Sequence, residues 1–388
     1  MTNDTYKNYK ILFSVIIILF WFSLYIYVPQ LSNYAKELGA SYRLIGLIGS
    51  AYGFSQTILR IPLGILSDKL RNRKKFVLVG IIAAITSSTM IYLFPNPYSL
   101  LIARFIAGIA SATWVNFTVL YISYYNSDES NKAVGLVNAH SKMGQLLAMF
   151  LGGLIASYFG IRSIFFLSII ISTISFILCI TVKERDVIVN EGRKSTGLTS
   201  IIRNRRIVHL SLLSAVVQLV AYSTTFAFTP IIASSLGARD FQLGLLTTLF
   251  NFPQVIFSIL AGTLIVGKIG ERNTLLIGFG LITGVCFATP FVGSLNLLFG
   301  LQFLAGIGNA ITFAMLMSMV IKDVEDDMMT TTMGFYQAVF GLGLTFGPII
   351  LGLIADRFSL TSGYLTIGAV GIMAIVSILF VKEREYNN

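Results

Sequence analysis

The stretch from Ile161 to Thr181, IRSIFFLSIIISTISFILCIT, holds one charge, Arg162, and little else that water would favour. A run of about 20 such residues crosses the hydrocarbon core of a bilayer as a helix. Lipid offers no partners to backbone N–H and C=O groups, so a helix that satisfies them internally is the natural solution. Similar runs recur near 11–31, 44–67, 76–94, 98–122, 134–158, 162–182, 207–232, 241–265, 274–293, 296–320, 332–356 and 361–381. The chain therefore reads as an all-α polytopic membrane protein with twelve transmembrane helices. Its 55% hydrophobic and 12% charged residues agree with this, since a soluble chain carries roughly a quarter charged.

The net charge of +11 would suit a nucleic-acid partner, but its distribution argues against one. With the N-terminus in the cytoplasm, only Lys36, Arg43, Arg162, Arg239 and Arg357 fall in outer loops, and Arg60, Arg104 and Lys142 fall within spans. The remaining 20 of the 28 Lys and Arg lie on the inner side. This bias is the positive-inside rule, and it assigns both termini to the cytoplasm of a cell-membrane protein. Residues 1–10 and the apolar run after them look like a secretory leader, but the run is too long and lacks a small-residue cleavage site. The first span is thus expected to stay. Cys179 and Cys286 fall inside spans and read as packing residues, with no disulfide framework or metal site.

VKERD at Val182–Asp186 and VKERE at Val381–Glu385 are one tag written twice, and a shift of 198 or 199 aligns much more. Leu38-Gly-Ala-Ser falls on Leu236-Gly-Ala-Arg, Gly64-Ile-Leu on Gly262-Thr-Leu and Arg104 on Gln302. Ala107-Gly-Ile falls on Ala305-Gly-Ile, and Gly153-Leu-Ile-Ala on Gly352-Leu-Ile-Ala. The chain divides into two pseudo-symmetric six-helix halves, 1–182 and 207–388. Between them a polar cytoplasmic linker, 183–206, carries seven Lys or Arg.

Two parallel six-helix halves with a central loop resemble the major facilitator superfamily. The segment GILSDKLRNRKK, Gly64–Lys75, is similar to that family's signature G-x-L-x-D-R/K-x-G-R/K-R/K. Gly64, Leu66, Asp68 and Lys69 match, and Arg71 replaces the second glycine. If one extra residue is allowed, Asn72 would supply the left-handed turn, and Gly270 stands at the corresponding place in the second half. Arg104 and Gly108 resemble the family's R-x-x-x-G pattern in the fourth span. In the fifth, Gly144–Gly153 is a degraded form of the G-x-x-x-G-P-x-x-G-G pattern associated with exporters, and GLTFGPIILG in the eleventh keeps its Gly-Pro. The resemblance implies alternating-access transport. It assigns gating roles to Gly64, Asp68, Arg73, Lys74, Gly347 and Pro348, with Asp68 facing basic loop residues and the start of the eleventh span. Asp128 or Glu129 would extend that network.

Charge inside lipid is costly, so intramembrane ions are candidates for function. Tyr52, Gln56 and Arg60 form one stripe at helical spacing, and Asn138, Lys142 and Gln145 another. Arg60 could instead snorkel to the interface, and Lys142 could reach water. His140, about 200° round the helix from Lys142, reads as packing. The second half offers neutral stripes: Gln218, Tyr222 and Thr225; Asn251, Gln254 and Ser258; Gln302 and Asn309. Trp21 and Tyr25 line the same cavity or pack against it. Gln56 and Gln254 are repeat mates. No Asp or Glu falls deep within a span, so a proton-carrying carboxylate is missing, unless Asp68 or His140 substitutes.

No catalytic constellation, metal spacing or nucleotide-binding loop rises from the sequence, so neither an enzyme nor a bound cofactor is expected. The favoured function is secondary active transport of a small organic solute, with efflux of a drug-like compound or metabolite first. Uptake or exchange of a small organic anion is second, and a transporter-like sensor is the reading of another class. The expected partners are the bilayer, a small and anionic substrate, and a coupling proton, with the protein acting as a monomer.

Overall fold

The computed structural model describes residues 3–70, 72–126, 129–184, 198–261, 265–322, 324 and 328–380, and of residues 3–7, 68, 130, 131, 198, 199, 259 and 330 the backbone alone. The described chain is helical throughout: α1 Asn3–Tyr25, α2 Val28–Glu37, α3 Tyr42–Leu70, α4 Arg73–Leu93, α5 Pro97–Ala112, α6 Trp114–Ser123, α7 Ser130–Phe159 and α8 Ile161–Thr181. The short α9 Leu198–Arg203 precedes α10 Arg205–Ala221, α11 Thr229–Ser235, α12 Asp240–Leu260, α13 Val266–Ala288, α14 Leu295–Ile321, α15 Met329–Arg357 and α16 Leu360–Phe380. Ten described spans are long and apolar enough to cross a membrane. With α3 and α12, of 29 and 21 residues, the total is twelve.

Some spans are interrupted, and sequence shows why for two of them. The first breaks between Tyr25 and Val28, just before Pro29, and the seventh widens into a π-helix over Tyr222–Phe228, just before Pro230. A proline has no N–H for the preceding turn and crowds its carbonyl, so the ladder opens there. The fourth span breaks at Thr113, whose hydroxyl donates to the Ala110 carbonyl at 2.7 Å.

Packing separates two compact units, Met1–Gly39 with Ala51–Val189 and Arg239–Leu245, and Ala40–Ser50 with Asn190–Ala238 and Leu246–Asn388. In the first, α1 packs on α7 and α8, and α4 on α5 and α8. In the second, α10 packs on α15 and α16, and α13 on α14 and α16. These are the pairings that the repeat relates. Each unit also takes in a short piece of the other half's sequence, and the two pieces are themselves repeat mates.

Buried hydroxyls tie each bundle together, as expected where apolar faces give helices little reason to prefer one another over lipid. Ser88 and Ser168 share a hydrogen bond of 2.7 Å, and Ser168 donates to the Ser23 carbonyl. In the second unit Ser214 donates to the Tyr336 hydroxyl at 2.8 Å, and Thr229 pairs with the Tyr364 hydroxyl at 2.8 Å.

Candidate functional site

Arg104 is carried by α5 into the interior of the first unit, with 6% of its surface exposed. Its guanidinium lies 4.4 Å over the ring of Tyr52 from α3, and Tyr52 is held in turn by donating to the Ser111 hydroxyl at 2.9 Å. The approach of α3 to α5 depends on Gly108, where a side chain would meet the Tyr52 carbonyl and the Ser55 hydroxyl. Ser55 also donates to the Phe105 carbonyl at 2.7 Å. The Nε and Nη1 of Arg104 are buried without a protein partner. Such donors are rare in folded interiors, because their hydration is lost and nothing replaces it.

The stripe on α3 continues from Tyr52 to Gln56, buried with its Oε1 lacking a partner, and to half-buried Arg60. On α7, Gln145 is buried, whereas Asn138 and Lys142 are exposed. Lys142 shares a helical face with Met149 and Gly153, at i+7 and i+11. Those two residues meet Gly244 of the Arg239–Leu245 piece: a methyl on Gly244 would stand 2.9 Å from the Cα of Gly153. The apolar exposed residues Met143, Leu147 and Phe150 lie further round the helix. Lys142 thus sits at the polar edge of its helix, apart from that apolar arc.

His140 is half-buried and meets Tyr121 edge-on, ring centroids 6.0 Å apart. Tyr121 pairs with Ser14 at 3.0 Å and Tyr125 at 2.9 Å, so the histidine belongs to a polar core network. Trp21 and Tyr25 on the first span are both buried. Trp21 meets Tyr25 at 5.6 Å and Trp114, which the sequence did not single out, at 5.2 Å.

The second unit holds a small cavity, about one water in size. Thr224, Thr225, Phe250, Cys286, Gln302 and Asn309 are among its walls. Gln302 Oε1 accepts from the Thr225 hydroxyl at 3.0 Å. Gln302 is the repeat mate of Arg104, and here the buried position is neutral and partnered. Gln218, Tyr222, Asn251 and Gln254 are not among the residues lining this cavity. Asn251 and Gln254 instead donate back to the Thr247 and Phe250 carbonyls of their own helix, at 2.9 and 3.2 Å. Cys286 lines the cavity and donates to the Tyr364 carbonyl at 3.4 Å, so it does more than fill space.

Of the gating residues, the Asp68 side chain lies outside the described set, as does Asp128, and Gly64 has open space around it. Glu184, the acid of the first VKER tag, caps α4: its carboxylate accepts from the backbone N–H of Arg73 at 2.8 Å and of Lys74 at 3.1 Å. The Lys74 ammonium donates to the Ile180 carbonyl at 2.7 Å. In the repeat, Arg272 reaches the Ile378 and Leu379 carbonyls in the same way. Asn72 does not take the left-handed turn expected of it. Its φ is −144°, and its side chain caps α4 by accepting from Lys75 N–H, while Gly270 has φ +79°. The extra residue lets a cap replace the glycine turn. Glu129 pairs with Lys10 at 3.8 Å and Lys132 at 3.7 Å. Gly347 packs against the Leu219 carbonyl, and Pro348 against Gly46 and Gly49.

The sequence profile of the Major Facilitator Superfamily matches residues 13–231 and 210–388. The multi-drug resistance efflux pump PmrA of Streptococcus pneumoniae is 25% identical over 354 residues, covering 87% of this chain and 86% of that one. Among solved structures, the nucleoside transporter NupG aligns with a TM-score of 0.77 at 17% identity, over 98% of this chain and all of that one. A D-xylose–proton symporter aligns with a TM-score of 0.73 at 18% identity, over 96% and 97%. The twelve spans, their repeated pairings and the profile match across both halves have one reading: the chain belongs to the major facilitator superfamily and is a membrane transporter.

Proposed function

We propose that this transporter exports a small organic solute bearing an anionic group, by alternating access and coupled to protons. The observation that carries the substrate class is Arg104, a permanently charged side chain with two buried, unpartnered nitrogens. Lys142, exposed on the polar edge of α7, adds a second cation. Among the described helices the acids sit near ends or at the kink of α13: Asp4, Glu37, Asp68, Asp240, Glu271 and Asp356. An anion would supply the missing acceptor through charge-assisted hydrogen bonds, which a cation cannot do. The export direction is supported by the likeness to PmrA and by the fifth-span glycine pattern. The same bias of Lys and Arg supports a cell-membrane protein with both termini and the 183–206 linker in the cytoplasm.

The test uses inverted membrane vesicles with an imposed pH gradient and matched anionic, neutral and cationic solutes. Accumulation of the anion in wild type, lost in Arg104→Gln and reduced in Lys142→Gln, is expected. Preferential accumulation of the cation would overturn the substrate class. Accumulation only in right-side-out vesicles would replace export with uptake.

A further inference from the structure

The chain contains two tryptophans, and the fold brings them together. Trp21 of α1 meets Trp114 of α6 at 5.2 Å between centroids, 74° between planes, and Tyr25 closes the group 5.6 Å from Trp21. Phe117 backs Trp114 with a nearly parallel ring at 6.1 Å. Two features set this cluster apart from ordinary core. Trp21 is 5% exposed, yet its indole N–H has no acceptor, whereas a buried indole normally finds one. Trp114 is half-buried, so one ring remains reachable beside that orphan donor.

The helix α7 lies next to the same rings. A methyl on Gly144 would stand 3.1 Å from the Cβ of Trp21. That approach puts buried Gln145 one residue from the contact, while Lys142 stands about 200° round the helix, on another face. An aromatic face and an unanswered donor therefore meet within the first unit.

We infer that this cluster is the subsite for a planar aromatic ring carrying a carboxylate or similar acceptor, so that the transported anions are aryl anions. This rests on the anion reading above and narrows it. The ring would stack on Trp114, and its acceptor would take the Trp21 N–H. A bare aromatic cluster would equally suit an aryl ammonium, but the unanswered Trp21 donor and Arg104 in the same unit oppose a cation.

Both tryptophans report on the site, so tryptophan emission of the full-length protein in nanodiscs is the readout. The probes are benzoate, cyclohexanecarboxylate and benzyltrimethylammonium. Saturable quenching by benzoate is expected, with affinity about tenfold above cyclohexanecarboxylate, in line with a single ring-stacking contact. Trp21→Phe keeps a ring but removes the N–H, and should weaken benzoate several-fold, read from the Trp114 emission that remains. Trp114→Leu should abolish the preference for benzoate over cyclohexanecarboxylate, measured by calorimetry and with melting behaviour checked. Equal affinity for benzoate and cyclohexanecarboxylate would overturn the aryl subsite and leave the anion reading standing. Tightest binding of benzyltrimethylammonium would overturn the anion reading and leave the aromatic platform. Benzoate binding unchanged in both Trp21→Phe and Trp114→Leu would place the ring elsewhere and end this inference.

Discussion

The guanidinium of Arg104 rests on the face of Tyr52, 4.4 Å from its centroid, and that contact holds a charge where the protein offers two of its nitrogens nothing else. An interior charge is usually a burden on stability, because desolvation exceeds what imperfect partners return. Arg104→Leu is therefore expected to melt at or above the wild-type temperature while losing transport. Tyr52→Leu, which removes the ring and strands the charge, should lose about 1–2 kcal/mol of stability. Tyr52→Phe should lose less. Thermal unfolding in detergent alongside a transport assay checks all three, and a strongly destabilised Arg104→Leu would make the arginine structural.

Glu184 gives the tag at the end of the sixth span a definite task. Two backbone N–H groups at the start of α4 have this carboxylate as acceptor. Glu184→Ala should cost about 1–2 kcal/mol, the range for losing a helix cap, with Glu184→Gln intermediate. Hydrogen exchange at residues 73–75 should accelerate in Glu184→Ala before any other part of α4 responds. Unchanged protection there would remove the cap from this account.

Gly244 against Gly153, and Gly46 against Gly352, are close approaches at repeat-related places. Gly244→Leu and Gly153→Leu should each overpack their contact by about 1–3 kcal/mol and reduce folded yield and transport. Gly135→Ala is the control, since a methyl there meets nothing within 4 Å. It should be neutral or stabilising by up to ~1 kcal/mol, as for glycine replaced within a helix. Size-exclusion profiles and transport distinguish the two classes, and tolerance of leucine at both tight positions would refute the argument.

The orientation can be read with thiol chemistry, because both native cysteines are buried. In whole cells an impermeant maleimide should leave Ser200→Cys unmodified and label Tyr158→Cys, both positions being exposed. The reverse pattern would invert the topology.

The number of spans, the repeat and the buried Arg104 were all legible in the sequence, because each is written in composition or spacing. The facing of individual residues was not. Phe165 is fully buried and Phe166 half exposed, yet both are phenylalanine, since lipid and a helix interior select the same chemistry. For the same reason the 3.6 period, which separates core from surface in soluble helices, is faint here. Asn251 and Gln254 read as cavity residues from their stripe, but side-chain bonds to the preceding turn absorb their donors. Pro29 and Pro230 were visible signals for the two opened turns, and Gly46 and Gly244 fall 198 apart like other repeat mates. Trp114 gave no signal of its own. Its meeting with Trp21 depends on how α1 and α6 cross.

The neutral Gln302 at the place that mirrors Arg104 has an electrical consequence. The bilayer field does work of about 2.3 kcal/mol per elementary charge per 100 mV, and it acts on whatever net charge is displaced. An anion bound at Arg104 cancels the one permanent cation of that pair, so the loaded carrier would respond weakly to voltage. The carrier returning without the anion, still bearing the arginine, would respond strongly. The membrane potential would then set the pace of the return stroke and leave the delivery stroke almost untouched.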